Sequence, residues 1–104
     1  MARLRLTPGL EIGIRPGETL TLGRESPDAR IARHLDQYEG VSRRHLEVVV
    51  THQTVTVADL GSLNGTCVDG SAINTPTVMG AGSHNLQLGH HAEVALDVVA
   101  DQTP

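Results

Sequence analysis

Arg24, Ser42, Arg43 and Asn64 carry the groups of this sequence suited to holding an anion and the chain attached to it. They fall in three short polar clusters: Gly23-Arg24, Ser42-Arg43-Arg44-His45, and Asp59-Leu60-Gly61-Ser62-Leu63-Asn64-Gly65-Thr66. A guanidinium donates two parallel hydrogen bonds to a phosphate or carboxylate and stays charged at neutral pH, which suits Arg24 and Arg43. Ser42 adds a small hydroxyl donor, and the amide of Asn64 can both donate to and accept from a main chain. Arg44, out of phase with His45, faces solvent and adds positive potential. Gly65 permits the tight turn that projects Asn64, and the hydroxyl of Thr66 can secure that loop as a strand resumes. Ser42, His45 and Asp59 also have the residue types of a nucleophilic triad, so a small hydrolase is a remote alternative. The Gly-x-Ser-x-Gly elbow that would present such a serine is missing, which argues against catalysis.

Length and composition bound the rest. The 104 residues suit one compact domain over residues 1–100, with a tail at 101–104. Phe and Trp are absent and Tyr38 stands alone, so the core must be built from Leu, Ile and Val. A net charge of -4 offers no general attraction to nucleic acid or anionic membrane, and exposed aromatics for stacking bases are lacking. Lone Cys67 forms no internal disulfide and reads as a buried strand residue rather than a reactive thiol. No apolar run has the length of a signal peptide or a membrane span, so the expectation is a cytoplasmic protein. Neither the scattered histidines, including His90 and His91, nor the carboxylates have metal-ligand spacing, and no cofactor is expected.

The elements that must position these clusters read as strands. Leu4 and Leu6, then Leu10, Ile12 and Ile14, then Leu20 and Leu22 alternate with polar residues, separated by Pro8-Gly9 and Pro16-Gly17. Residues 45–51 and 54–58 form a hairpin across His52-Gln53, and its second strand delivers Asp59 into the glycine-rich loop. Residues 85–89 and 93–99 form a closing hairpin. Between Glu25 and Gly40 apolar residues are sparse; Ile31 and Leu35 anchor a long connection, with a short strand at 30–32 conceivable and a helix unfavoured. Pro76, awkward in a central strand, lies in a connection. The pattern gives roughly nine to eleven short strands and an all-β sandwich, with every polar cluster at a strand end.

Taken together, the clusters resemble the signature of the forkhead-associated (FHA) domain, from the first strand pattern to Gly89. The resemblance implies a twisted β-sandwich of about eleven short strands in two sheets, with a peptide site on loops at one end. It further implies a binding module for phosphothreonine peptides in signalling or scaffolding, not an enzyme. Its partner would be a Thr-phosphorylated protein such as a Ser/Thr kinase or a kinase substrate. Arg24, Ser42 and Arg43 match the family's phosphate contacts, and Asn64 its contact to the peptide main chain. Ser62 and Leu63 occupy positions that complete the phosphothreonine pocket, although Leu63 lacks the hydroxyl some members have there. Gly23, His45, Gly65 and Thr66 would support the site, His45 by hydrogen-bonding the loops internally. The alternative within this fold is a phosphate-independent protein-interaction module.

Overall fold

A computed structural model describes residues 1–7 and 9–99. Pro8 and residues 100–104, which include the expected tail at 101–104, lie outside the described residues. Among those described, ten strands and one helix follow in the order β1 (Ala2–Thr7), β2 (Leu10–Ile14), β3 (Thr19–Leu22), α1 (Ala29–Leu35), β4 (Leu46–Val50), β5 (Val55–Asp59), β6 (Thr66–Val68), β7 (Ser71–Ile73), β8 (Thr77–Met79), β9 (Gly82–Leu88) and β10 (Ala92–Val98). They form an antiparallel six-stranded sheet, β2-β1-β10-β9-β6-β7, and an antiparallel four-stranded sheet, β3-β4-β5-β8.

The period-2 patterns decide which faces meet. Leu4 lies opposite both Leu96 and Ile12 in the larger sheet, and all three are buried. Leu46, Val48 and Val50 of β4, with Val55 and Val57 of β5, line the facing sheet. The interior is therefore aliphatic, as a chain without Phe or Trp requires. Cys67, expected to be buried, instead pairs with Gln87 and is half-buried.

Two expectations need correction. The segment after β3 contains helix α1, not a strand. Asp28 caps it by accepting from the Arg30 N–H at 2.9 Å, and Ile31 and Leu35, one turn apart, are fully buried. A seven-residue helix would not persist alone, but a cap and two core anchors on one face hold it here. The stretch after Pro76 is also a strand; β8 sits at the edge of the smaller sheet, where a preceding proline costs no ladder bond.

Candidate functional site

The end of β3 is zipped to the segment entering β4. The Leu22 carbonyl accepts from the His45 N–H at 2.8 Å, the Ser42 carbonyl from the Arg24 N–H at 3.2 Å, and the Arg43 carbonyl from the Glu25 N–H at 3.0 Å. Gly23 permits this approach, because a Cβ there would overlap the Arg43 carbonyl. The first two clusters are thus neighbours despite their separation in sequence. Arg24 is half-buried, and its Nε donates to the Val41 carbonyl at 2.7 Å. That bond fixes the guanidinium while its Nη groups make no hydrogen bond among the described residues. Arg43 and Arg44 are exposed, and Arg43 Nε lies 3.6 Å from a Glu25 carboxylate oxygen.

His45 lies beneath this surface with no solvent exposure. Its Nδ1 accepts from the Ser42 N–H at 3.0 Å, so Nε2 carries the proton and donates to the Gly65 carbonyl at 2.8 Å. The imidazole consequently ties the second cluster to the third. It does not bond the Ser42 hydroxyl, which accepts from the Leu63 N–H at 3.1 Å. Asp59 Oδ1 is 3.9 Å from His45 Nε2, beyond hydrogen-bond reach. These three side chains are therefore arranged to hold loops, and no serine–histidine pair is formed.

Asp59 organises the third cluster. Its Oδ2 accepts from the N–H groups of Gly61 at 3.0 Å and Ser62 at 2.9 Å, and its Oδ1 from the hydroxyls of Ser62 and Thr66, both at 2.6 Å. Burial pushes this carboxyl upward, but the hydrogen bonds from Ser62 and Thr66 outweigh it and hold the group below its ordinary value of 3.8. The Ser62 hydroxyl also accepts from the Gly65 N–H at 3.0 Å, so it is engaged inside the loop. Gly61 and Gly65, at φ 78° and 83°, adopt the left-handed turns that few other residues tolerate.

The loop is then pinned to its surroundings. Asn64 Nδ2 donates to the Gly40 carbonyl at 3.0 Å, leaving the side-chain oxygen on an exposed residue. Gly89, at φ 72°, donates its N–H to the Gly65 carbonyl at 3.0 Å, and a Cβ on it would come within 2.6 Å of the Gly40 carbonyl oxygen. The turn carrying His90 therefore packs against the loops before β4 and β6. Leu63 stands out from this framework with 89% of its surface exposed.

All ten residues singled out by the sequence gather on this one loop surface or directly beneath it. Sequence reasoning missed Gly40 and Val41, whose carbonyls orient Asn64 and Arg24. Backbone acceptors have no side-chain signature, so nothing in the sequence marks them. The role of Asp59 was legible in principle, since an Asp at a strand end followed by Gly and Ser is a side-chain-capped turn. A cleft of about 540 Å³ lies away from this surface, between the β4–β5 turn and the ends of β8 and β10. It holds none of the clustered donors.

The class defined is a two-sheet β-sandwich whose hydrogen-bonded loops bring Arg24, Arg43 and Arg44 close to the Asn64 loop. A family model for the FHA domain matches residues 20–89, more than half of the chain, and the chain belongs to that family. The family is a binding module. An FHA domain-containing protein of Arabidopsis thaliana is 28% identical over 94 residues, covering 89% of this chain; the chain spans 24% of that relative's length. The FhaA FHA domain, solved in complex with the intracellular domain of Rv3910, is 32% identical with a TM-score of 0.72, over 92% of this chain and 99% of that one. Another FHA domain, from work on phosphothreonine-dependent FHA interactions, is 31% identical with a TM-score of 0.73, over 93% and 95% of the two chains.

Proposed function

We propose that this domain binds phosphothreonine-containing peptides without turning them over, as a recognition part of a signalling or scaffold protein. The observation that carries this reading is the convergence of Arg24, Ser42, Arg43 and Asn64 on one hydrogen-bonded loop surface. The Arg24 guanidinium is oriented by Val41 yet retains free donors, the combination needed to meet a phosphate without reorganising. Arg43 supplies a second charge and Ser42 a neutral donor, while the Asn64 amide meets the peptide main chain. Ser62 shapes the pocket from within, and Leu63 forms its outer edge. Gly23, His45, Gly65 and Thr66 hold these groups in place.

The phosphate brings a charge of about −1.5 to −2, so local attraction prevails over the domain's net negative charge. The FHA relative solved in the phosphothreonine study supports the same reading. Partners are accordingly Thr-phosphorylated proteins, for example a Ser/Thr kinase or its substrate, in the cytoplasm. Among the described residues no helix is long and apolar enough to cross a membrane. The engagement of both His45 nitrogens favours binding over hydrolysis.

Titration calorimetry with matched phosphothreonine, phosphoserine and unmodified peptides tests the proposal. Phosphothreonine is expected to bind tightest, with phosphoserine weaker because it lacks the methyl, whose burial is worth about 1 kcal/mol at most. Equal affinity for the phosphorylated and unmodified peptides would overturn phosphate recognition. Release of free phosphate on prolonged incubation would overturn binding without turnover.

A further inference from the structure

We propose that Leu63 is a preorganised apolar anchor for a side chain flanking the phosphothreonine of the ligand, an inference that rests on the phosphopeptide reading above. Scattered exposed leucines are ordinary in proteins. This one differs in its setting. At 89% exposure it is the most exposed large hydrophobic among the described residues, ahead of Val78 at 65%.

Its backbone is held on every side. The Leu63 N–H donates to the Ser42 hydroxyl, Ser62 before it is bonded to Asp59, and the Asn64 amide after it is bonded to Gly40. The loop therefore cannot fold Leu63 inward without breaking these bonds. The ordering cost of presenting an apolar group is met before any ligand arrives, which favours binding when that group becomes covered.

The position of Leu63 selects its occupant. It lies between Ser42, whose hydroxyl touches its N–H, and Asn64, the proposed main-chain contact, so it continues the proposed peptide surface. Neighbouring Cα atoms are about 3.8 Å apart and an extended peptide advances about 3.3 Å per residue. An extended peptide that bonds Asn64 would have a side chain next to the phosphothreonine within one residue's advance of Leu63. The isobutyl group can neither donate nor accept a hydrogen bond, so it rewards an aliphatic neighbour and gives a polar one only lost hydration.

The test is a cycle of calorimetric titrations with phosphothreonine peptides carrying Leu or Ser at the positions on either side of the phosphoresidue, against the wild-type domain and Leu63→Ala. Wild type is expected to bind the best Leu-flanked peptide about five- to tenfold more tightly than its Ser counterpart, the range set by partial burial of two aliphatic groups. In Leu63→Ala that ratio is expected to fall below about twofold, because the Leu-flanked peptide loses more affinity than its Ser counterpart. The replacement removes only exposed atoms, and an unchanged melting temperature would confirm that the fold is retained. A preference for Leu that survives Leu63→Ala, or no preference in wild type, would overturn the inference while leaving phosphopeptide binding in place. Loss of the difference between phosphorylated and unmodified peptides in wild type would instead overturn the parent reading, and this inference with it.

Discussion

Asp59→Ala should dismantle the recognition loop while leaving both sheets assembled. The replacement removes the acceptor of four hydrogen bonds, from Gly61 N–H, Ser62 N–H and the hydroxyls of Ser62 and Thr66. The exposed Gly61 N–H can be re-satisfied by water, so its loss costs little. Thr66 is only 2% exposed, so its hydroxyl would be left without its partner, at about 1 to 3 kcal/mol. Losing the partly buried Ser62 bonds adds about 1 kcal/mol, for a total destabilisation of about 2 to 4 kcal/mol. For a domain of this size that lowers Tm by about 10 to 25 °C, readable by calorimetry or urea unfolding. Phosphothreonine-peptide affinity should fall at least about tenfold, because the same bonds hold the loop that presents Asn64.

The acid limb gives a second reading of the same variant. Because the folded-state value of Asp59 is depressed, its contribution is present above the ordinary carboxylate value of 3.8 and is lost as pH falls through the lower folded value. The stability gap between wild type and variant should therefore be constant near neutrality and shrink in strong acid. A destabilisation below about 0.5 kcal/mol at pH 7, or a gap that widens in acid, would refute the assignment of Asp59 as the organiser of the loop.

Other consequences can be checked independently. Gly23→Ala should destabilise the domain by about 1 to 3 kcal/mol and weaken phosphopeptide binding, since its Cβ must displace the Arg43 backbone. His84 bonds the Asp69 carboxylate and the Gly80 carbonyl, both at 2.7 Å; the Asp69 bond, then the Gly80 bond, raises it above the ordinary 6.5. Its charge-linked contribution should be fully present below the ordinary 6.5 and be lost as pH rises through the raised value, so the gap between urea curves of wild type and His84→Ala should narrow on the alkaline side. Glu25→Gln should raise phosphopeptide affinity about two- to fivefold, because the carboxylate beside Arg43 repels phosphate at short range through water. Calorimetry at low and physiological salt should show that gain diminishing with ionic strength.

Much of the fold was legible because aliphatic alternation survives where each sheet has one buried face. β4, β5 and β10 follow the sequence pattern closely, whereas β9 begins at Gly82, ahead of the Asn85 that the pattern marks as its start. The helix was hidden because seven residues with two anchors carry too little periodicity; Ile31 and Leu35 were recognisable as anchors, but the Asp28 cap was needed to reveal their conformation. β8 was obscured by Pro76, whose cost depends on whether a strand is central or at an edge, a matter of tertiary pairing. In the site, the side chains announce themselves by type, and the glycines by the turns they permit. The carbonyls of Gly40, Val41 and Gly65 are equally necessary to the geometry but belong to every residue type alike. The outward display of Leu63 also depends on the bonds that the Leu63 and Ser62 N–H groups donate to Ser42 and Asp59, which only the folded loops bring together.

Phosphate-dependent binding at the loop surface can be tested by an NMR titration of the isotopically labelled domain with a degenerate phosphothreonine peptide library, beside the identical unphosphorylated library. Amide shifts are expected at Arg24, Gly40 to Arg43 and Ser62 to Gly65 with the phosphorylated library, with little change around the β4–β5 turn and no comparable response to the unphosphorylated one. The same shifts with both libraries, or a phosphate-dependent response centred on the β4–β5 turn, would contradict phosphate-dependent binding at this surface.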